Sequence, residues 1–311
     1  MKQAIIDIGS NSMRMCVYEI EGDRFQILFK EKIMAGLAGY VKDGALTEEG
    51  ILRACSGLME FRDILYALDI EQVSVFATAS LRNISNTDEA VAAIDNAAGF
   101  RVDVISGEEE ALYGFTGVTR ELDIKKGAFV DIGGASTEVV YFDQRGPVTA
   151  DSFSIGSLSL YRACVKKILP DEQALKRMQK QIAQELDAKT LRRLDKGQQV
   201  ACAGGTARAM LKFAKKLFSL PPDCHTVTAK QVDEICTVLC KANRAAADLI
   251  LKVEPDRIHT MIPGALILQH LVRHLRVREL MVSKYGVREG YLCQRVLQSD
   301  RASMPIHKTG K

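Results

Sequence analysis

Two short stretches of this 311-residue chain combine an acid, glycine and hydroxyl side chains in a pattern suited to holding an anion. The first is Asp7-Ile8-Gly9-Ser10-Asn11-Ser12 and the second Asp131-Ile132-Gly133-Gly134-Ala135-Ser136-Thr137. In each, an apolar run ends on the aspartate, and small residues then let backbone N–H groups and hydroxyls point into one concavity. One such turn alone is an ordinary hairpin connection. The pair is a clamp that grips one phosphate from opposite sides if the two face each other. Two aspartates beside a phosphate repel it by about 3 kcal/mol per charge pair at ~5 Å and an effective dielectric of ~20. A divalent cation relieves this. Mg²⁺ uses one or two carboxylates, substrate oxygens and retained waters, so Asp7 and Asp131 are its candidate holders, directly or through water.

A third stretch, Ser106-Gly107-Glu108-Glu109-Glu110-Ala111, sits where a strand gives way to a helix. Ser106 and Glu109 have the spacing of a capping box. At ~100° per residue the three glutamates fan over about 200°, which leaves Glu110 free to orient a water. In Ala203-Gly204-Gly205-Thr206-Ala207-Arg208 a strand again opens into a helix, where amides and the helix dipole favour an anion. No GK[ST] follows, so this is not a P-loop. Arg82, after a strand, and Arg14, after the first loop, add positive charge. His270 and His274 are four residues apart, but the HExxH glutamate is missing and no third ligand is evident, so they are not read as a zinc site. Cys236 and Cys240 read as packing residues.

The elements that must position these groups follow from periodicity. Runs at 3 to 9, 12 to 20 and 24 to 33 predict a three-strand meander with its second turn at Gly22-Asp23. A helix is expected from Thr47 to Leu68, with Leu52, Leu58, Phe61, Leu65 and Leu68 on its period. A strand (73 to 80), a helix (87 to 98), a strand (101 to 106) and a helix from Gly107 complete an α/β domain over residues 1–122. After the polar segment 121 to 127 the pattern restarts. An offset of 124 lays Asp7-Ile8-Gly9 on Asp131-Ile132-Gly133 and Ser12 on Ser136, the mark of a duplicated fold. The second domain, 123–311, adds helices, the last of which can pack back on the first domain.

Composition narrows the class. Lys+Arg 42 against Asp+Glu 39 leaves a net charge of +3, with 26% charged and 47% hydrophobic residues, which excludes disorder and bulk nucleic-acid binding through charge. The eight cysteines are scattered without a CxxC pair, as in a reduced, cytoplasmic protein. Neither a signal peptide nor an uncharged apolar window of ~18 residues is visible, so no membrane association is expected.

Taken together, DIGSNSMRM, TASLRN, VISGEEEALYGFTGV, FVDIGGASTEVVYF, SFSIGSLSL, AGGTARAM, MIPGALIL and LMVSKYGVREGYL resemble the exopolyphosphatase and guanosine pentaphosphate phosphatase (Ppx/GppA) family of the actin-like ATPase superfamily, in the family's order over residues 4 to 292. The resemblance implies two ribonuclease-H-like domains with an interdomain cleft, a homodimer, and Mg²⁺- or Mn²⁺-dependent release of terminal phosphate from polyphosphate or guanosine penta- or tetraphosphate. By the same resemblance, Glu110 is the catalytic carboxylate that prepares the water, with Asp131 as its water and metal partner. Asp7 with Ser10, Asn11 and Ser12 forms the first phosphate loop, Gly133, Gly134, Ser136 and Thr137 form the second, and Gly205 and Thr206 belong to a further one. Arg82 contacts phosphate, and Glu138 joins Asp7 and Asp131 at the metal. Three departures stand out. Ala135 replaces a glycine, KIMAGLAGYVKDG lacks the basic residue that the family commonly carries just before its Leu-Gly-rich turn, and the chain ends at Lys311 without the helical extension of long members, so short chains or a nucleotide are the expected substrates. The alternatives are an alarmone-binding regulator without turnover and a kinase of the same superfamily.

Overall fold

The computed structural model describes residues 1–187 and 191–298; the chain end at Lys311 lies outside them. β1 (Lys2–Ile8), β2 (Met13–Glu21) and β3 (Arg24–Ile33) form the expected meander. A small hairpin, β4 (Val41–Lys42) and β5 (Ala45–Leu46), leads into α1 (Glu48–Ala67), whose cap Thr47 accepts from the Gly50 amide at 3.2 Å. β6 (Val73–Ala77), the single turn α2 (Ala79–Arg82), α3 (Thr87–Ala98), β7 (Val102–Val104) and α4 (Gly107–Thr119) complete the first half.

The second half opens with β8 (Gly127–Ile132), β9 (Thr137–Asp143) and β10 (Gly146–Phe153), then α5 (Ser157–Cys164), α6 (Glu172–Asp187), β11 (Gln199–Ala203) and α7 (Gly204–Phe218). β12 (Thr226–Thr228), α8 (Ala229–Leu239), α9 (Arg244–Val253), α10 (Met261–Leu275), β13 (Glu279–Val282) and α11 (Val287–Tyr291) follow, and a π-helical turn over Leu292–Leu297 extends the last helix.

Each half is built on one sheet, ordered β3-β2-β1-β6-β7 and β10-β9-β8-β11-β13-β12. In both, an antiparallel meander continues through its first strand into two parallel strands, which is the ribonuclease-H-like topology twice over. The duplication holds to the residue. Asp7 pairs with Arg14 and Ile8 with Met13; 124 positions on, Asp131 pairs with Glu138 and Ile132 with Thr137. β12 breaks the symmetry as an antiparallel edge strand, and three residues are too few to show alternation in sequence. The strand expected over 73 to 80 ends at Ala77, where the chain turns into α2. On α1 the buried face is Ala54, Leu58, Phe61 and Leu65; Leu52 (62% exposed) and Leu68 (45%) lie off that stripe.

Two helices fill the space between the sheets. α4 turns Ala111, Phe115 and Val118 toward Phe129, Val140 and Phe142 of the second sheet. Its Tyr113 instead joins Tyr291 and Leu292 against Ile5, Cys16 and Phe76 of the first. The C-terminal helix therefore closes the first domain's core. The two helices touch backbone to backbone: a β-carbon on Gly117 would lie 2.0 Å from the Gly286 carbonyl oxygen, and one on Gly290 would lie 1.8 Å from the Tyr113 carbonyl oxygen. Helix propensity alone favours alanine over glycine by ~1 kcal/mol. Gly117→Ala is nevertheless predicted to destabilise the protein by about 1–3 kcal/mol, because neither backbone can yield without moving a helix. Urea denaturation measures this, and an unchanged or higher midpoint contradicts the packing.

Candidate active site

The turns after β1 and β8 are built alike. The Gly9 amide donates to the Ser12 carbonyl at 3.2 Å and the Gly133 amide to the Ser136 carbonyl at 2.9 Å. Other segments occupy several turn carbonyls: Ser10 and Asn11 accept from the amides of Ala38 and Gly36, and Gly133 and Gly134 accept from the first turn of α5. Amides and hydroxyls are what each turn has left for an anion. The turns face each other, since a β-carbon on Gly134 would sit 3.6 Å from Ser10 Cβ. Ala135, the methyl-bearing position, is not among the residues with positive φ, so its side chain brings no backbone strain.

One cleft is lined by both turns together with Asp7, Glu110, Asp131, Glu138, Gly204, Gly205, Arg257 and Thr260. The aspartates converge on it from the ends of β1 and β8. Burial raises the pKa of both. At Asp7 the charges of Arg288 and Arg14 oppose this, and at Asp131 those of Arg208 and Arg14 do. Gly204, at φ +78°, turns the chain beside Asp131, where a β-carbon would fall 1.9 Å from Asp131 Oδ1. Only glycine fits there.

Glu110 reaches the cleft as the fan of side chains predicts. The capping box forms, with the Glu109 amide donating to Ser106 Oγ at 3.1 Å and the Ser106 amide to Glu109 Oε2 at 2.9 Å. Glu109 also pairs with Arg295 at 2.7 Å, while Glu110 turns inward and is only 8% exposed. Burial pushes the Glu110 carboxyl up to about 7 against the pull of Arg82, whose Nη1 donates to its Oε2 at 2.8 Å. Glu138, 1% exposed, accepts from Ser152 Oγ at 2.8 Å and is held well above the ordinary carboxylate range by burial and by repulsion from Glu110 and Asp131.

The remaining expected contacts divide. Ser10, Asn11, Ser12, Gly133, Gly134, Ser136 and Gly205 line the cleft. Thr137 and Thr206 do not, because both are buried behind the wall, with their hydroxyls donating to the carbonyls of Ile155 (2.6 Å) and Ile132 (3.2 Å). Arg82 is also off the wall. It donates to the Ile105 carbonyl at 3.0 Å as well as to Glu110, which itself lines the cleft. Among the described residues, the carboxylates of Asp7, Asp131 and Glu138 are not a group whose oxygens all lie within 4.8 Å of one another. Their hard oxygens fit a cation that takes one or two carboxylates and completes its shell with water and substrate. They do not fit one that all three hold at once in this arrangement.

Periodicity and motifs did not single out Arg257 and Arg288. A second cavity adjoins the first and shares Asn11, Ser12, Arg14, Gly205 and Arg257 with it. Eight cationic side chains line it, including Arg14, Lys30, Arg208 and Arg288, against three acidic ones. Burial and the charges of Arg14 and Arg288 push Arg208 down to about 10; burial and Arg14 do the same to Arg257. The buried Nε of Arg288 and Oγ1 of Thr260 have no hydrogen-bond partner among the described residues. The Val287-Arg288-Glu289-Gly290 segment was visible in sequence, but only the fold brings Arg288 to within 3.4 Å of Asp7.

The chain resembles known proteins over nearly its whole length. It is 25% identical to exopolyphosphatase 2 of Mycobacterium tuberculosis over 92% of this chain and 96% of that one. It is 28% identical to the guanosine-5'-triphosphate,3'-diphosphate pyrophosphatase of Pseudoalteromonas translucida over 93% of this chain and 58% of the longer relative. Among solved structures, the Ppx/GppA family member of Aquifex aeolicus superposes with a TM-score of 0.79 at 25% identity, covering 96% of this chain and 99% of that one. An exopolyphosphatase of Cytophaga hutchinsonii, at 22% identity, covers 96% and 98% with a TM-score of 0.83 and shares the fold. Residues 16–299 match the family model, and the chain belongs to the Ppx/GppA phosphatase family.

Proposed function

We propose that this protein hydrolyses the terminal phosphoanhydride of a short polyphosphate chain or of pppGpp, with Mg²⁺ or Mn²⁺ as cofactor. The observation that carries the reading is the continuity of the cleft. Two anion-binding turns and a buried glutamate of raised pKa open into a chamber of arginines and lysines. The turns hold the terminal phosphoryl group, and the chamber takes the anionic remainder of the substrate. Relatives named for action on polyphosphate and on guanosine pentaphosphate support the substrate class.

In the reaction, a water oxygen forms a bond to the terminal phosphorus while the bond to the bridging oxygen breaks. Glu110 takes the proton of that water, and the bridging oxygen leaves with the shortened chain. Arg82 fixes the direction of the Glu110 carboxylate. Loop amides and Arg14 stabilise charge spreading over the equatorial oxygens. Asp7 and Asp131 would hold a divalent ion, directly or through water, and it would supply further charge neutralisation; the chemistry of two hard, buried carboxylates supports this.

Phosphate release from tripolyphosphate, long polyphosphate, pppGpp and ATP, with and without Mg²⁺, tests the proposal. Mg²⁺-dependent release from tripolyphosphate or pppGpp, faster than from long polyphosphate or ATP, is expected, and tight binding without turnover refutes the proposal. Glu110→Gln should lower kcat by about two to four orders of magnitude; full activity removes Glu110 from this role.

The pH profile carries the sign of the burial effect. A base is active when deprotonated, so kcat/KM falls as pH drops below the Glu110 pKa of about 7. Arg82 holds that pKa down, so Arg82→Met should move the acid limb upward by about 1 unit or more. An unmoved limb contradicts the pairing.

Arg257→Ala removes one cation of the chamber. It should raise KM for tripolyphosphate by roughly 10- to 100-fold, the worth of a charge-assisted hydrogen bond, with a smaller change in kcat. An unchanged KM places the substrate elsewhere.

A further inference from the structure

The histidine pair set aside in the sequence gains a third donor in three dimensions. α10 presents His270 and His274 on one face, one turn apart, with ring centroids 6.2 Å apart and ring planes 26° from parallel. Asp187, at the end of α6, places Oδ1 2.9 Å from His270 Nε2 and 3.5 Å from His274 Nδ1. These three donor atoms all lie within 4.8 Å of one another, and among the described residues no other group of His, Cys, Asp or Glu side chains does so.

Hydrogen bonding on the far side of His274 fixes its tautomer. Its Nε2 lies 3.1 Å from the Leu191 carbonyl oxygen, which only accepts, so Nε2 carries the hydrogen. In the neutral ring Nδ1 is then a lone pair facing a carboxylate oxygen that also faces His270. Lone pair against lone pair is unfavourable unless a cation or an extra proton stands between them. A carbonyl behind an imidazole is also the usual device for orienting a metal-binding ring. The spacing suits an ion. Bonds of 2.0–2.2 Å to nitrogen and oxygen in a tetrahedron put neighbouring donors about 3.3 Å apart, close to the two observed separations.

We propose that Asp187, His270 and His274 form a binding site for a divalent transition-metal ion of the Zn²⁺ class, with water in the fourth position. Two imidazoles and one carboxylate favour Zn²⁺, Co²⁺, Ni²⁺ or Cu²⁺ over Mg²⁺. Side-chain exposures of 25% and 26% for the histidines and 49% for the aspartate give the ion a path in and leave room for the water. The ion clips the end of α6 to α10. It lies far from the phosphate cleft, since Thr260 at the start of α10 lines the cleft and twelve residues of helix rise span about 18 Å. Its role is therefore structural or regulatory and not part of phosphoryl transfer.

Calorimetric titration of the whole protein with Zn²⁺, in excess Mg²⁺ to occupy carboxylate sites, tests this. One Zn²⁺ equivalent is expected. His270→Gln, His274→Gln and Asp187→Asn should each weaken it by at least about tenfold, a loss that even an outer-shell partner's mutation brings. In Mg²⁺ alone the three variants should release phosphate from tripolyphosphate like the parent, which reports that they fold. Imidazole ¹⁵N signals of His270 and His274 in the parent should shift on adding Zn²⁺. Absence of Zn²⁺ binding, affinity retained in the variants, or imidazole signals unmoved at saturation overturns the site.

Discussion

Four carboxylates share one partly dehydrated cleft, and the rest of the structure is arranged around that fact. Asp7, Glu110, Asp131 and Glu138 all have pKa values raised by burial. Arginines supply the opposing charge, but several of these repel one another: Arg14 and Arg288 both act against the charge on Arg208. A site that concentrates like charges of both signs costs folding energy, as functional clefts commonly do. The proposed pairing of a phosphoryl group with a divalent ion would answer both excesses.

Duplication explains how such a site forms from ordinary parts. Each half contributes the same hairpin in the same register, and each leading strand ends on its aspartate. The asymmetry comes from α4. It follows the last strand of the first sheet, yet packs Ala111, Phe115 and Val118 on the second. Its N-terminal turn therefore opens between the domains and carries Glu110 there. The C-terminal helix, stacked on α4 through Gly117 and Gly290, ties the end of the chain to the first sheet. Positioning of the glutamate thus depends on contacts from both halves of the sequence.

The sequence made legible what is local or repeated. The 124-residue offset, the two turns, the Ser106 capping box and the α/β order are visible because each is written in neighbouring residues. Long-range placement was less legible. TASLRN announces a basic residue after a strand, but only the fold pairs Arg82 with Glu110. Thr137 and Thr206 carry hydroxyls along the loops, yet both are buried, at the first residue of β9 and in the first turn of α7. Leu52 and Leu68 fit a helical period but lie off the face that meets the sheet. Arg257 follows a proline in a short 3₁₀ turn and belongs to no recognisable pattern. Asp187 becomes a neighbour of His270 only through the packing of α6 on α10.

The central claim is that burial in the interdomain cleft keeps a glutamate poised near neutrality. Isotope-edited infrared titration of the free protein, with ¹³C-labelled glutamate and Glu110→Gln for assignment, measures it directly. The account predicts a Glu110 carboxyl band that converts to carboxylate with a midpoint near pH 7 and is missing from the variant. A Glu110 band that ionises together with the surface glutamates contradicts it.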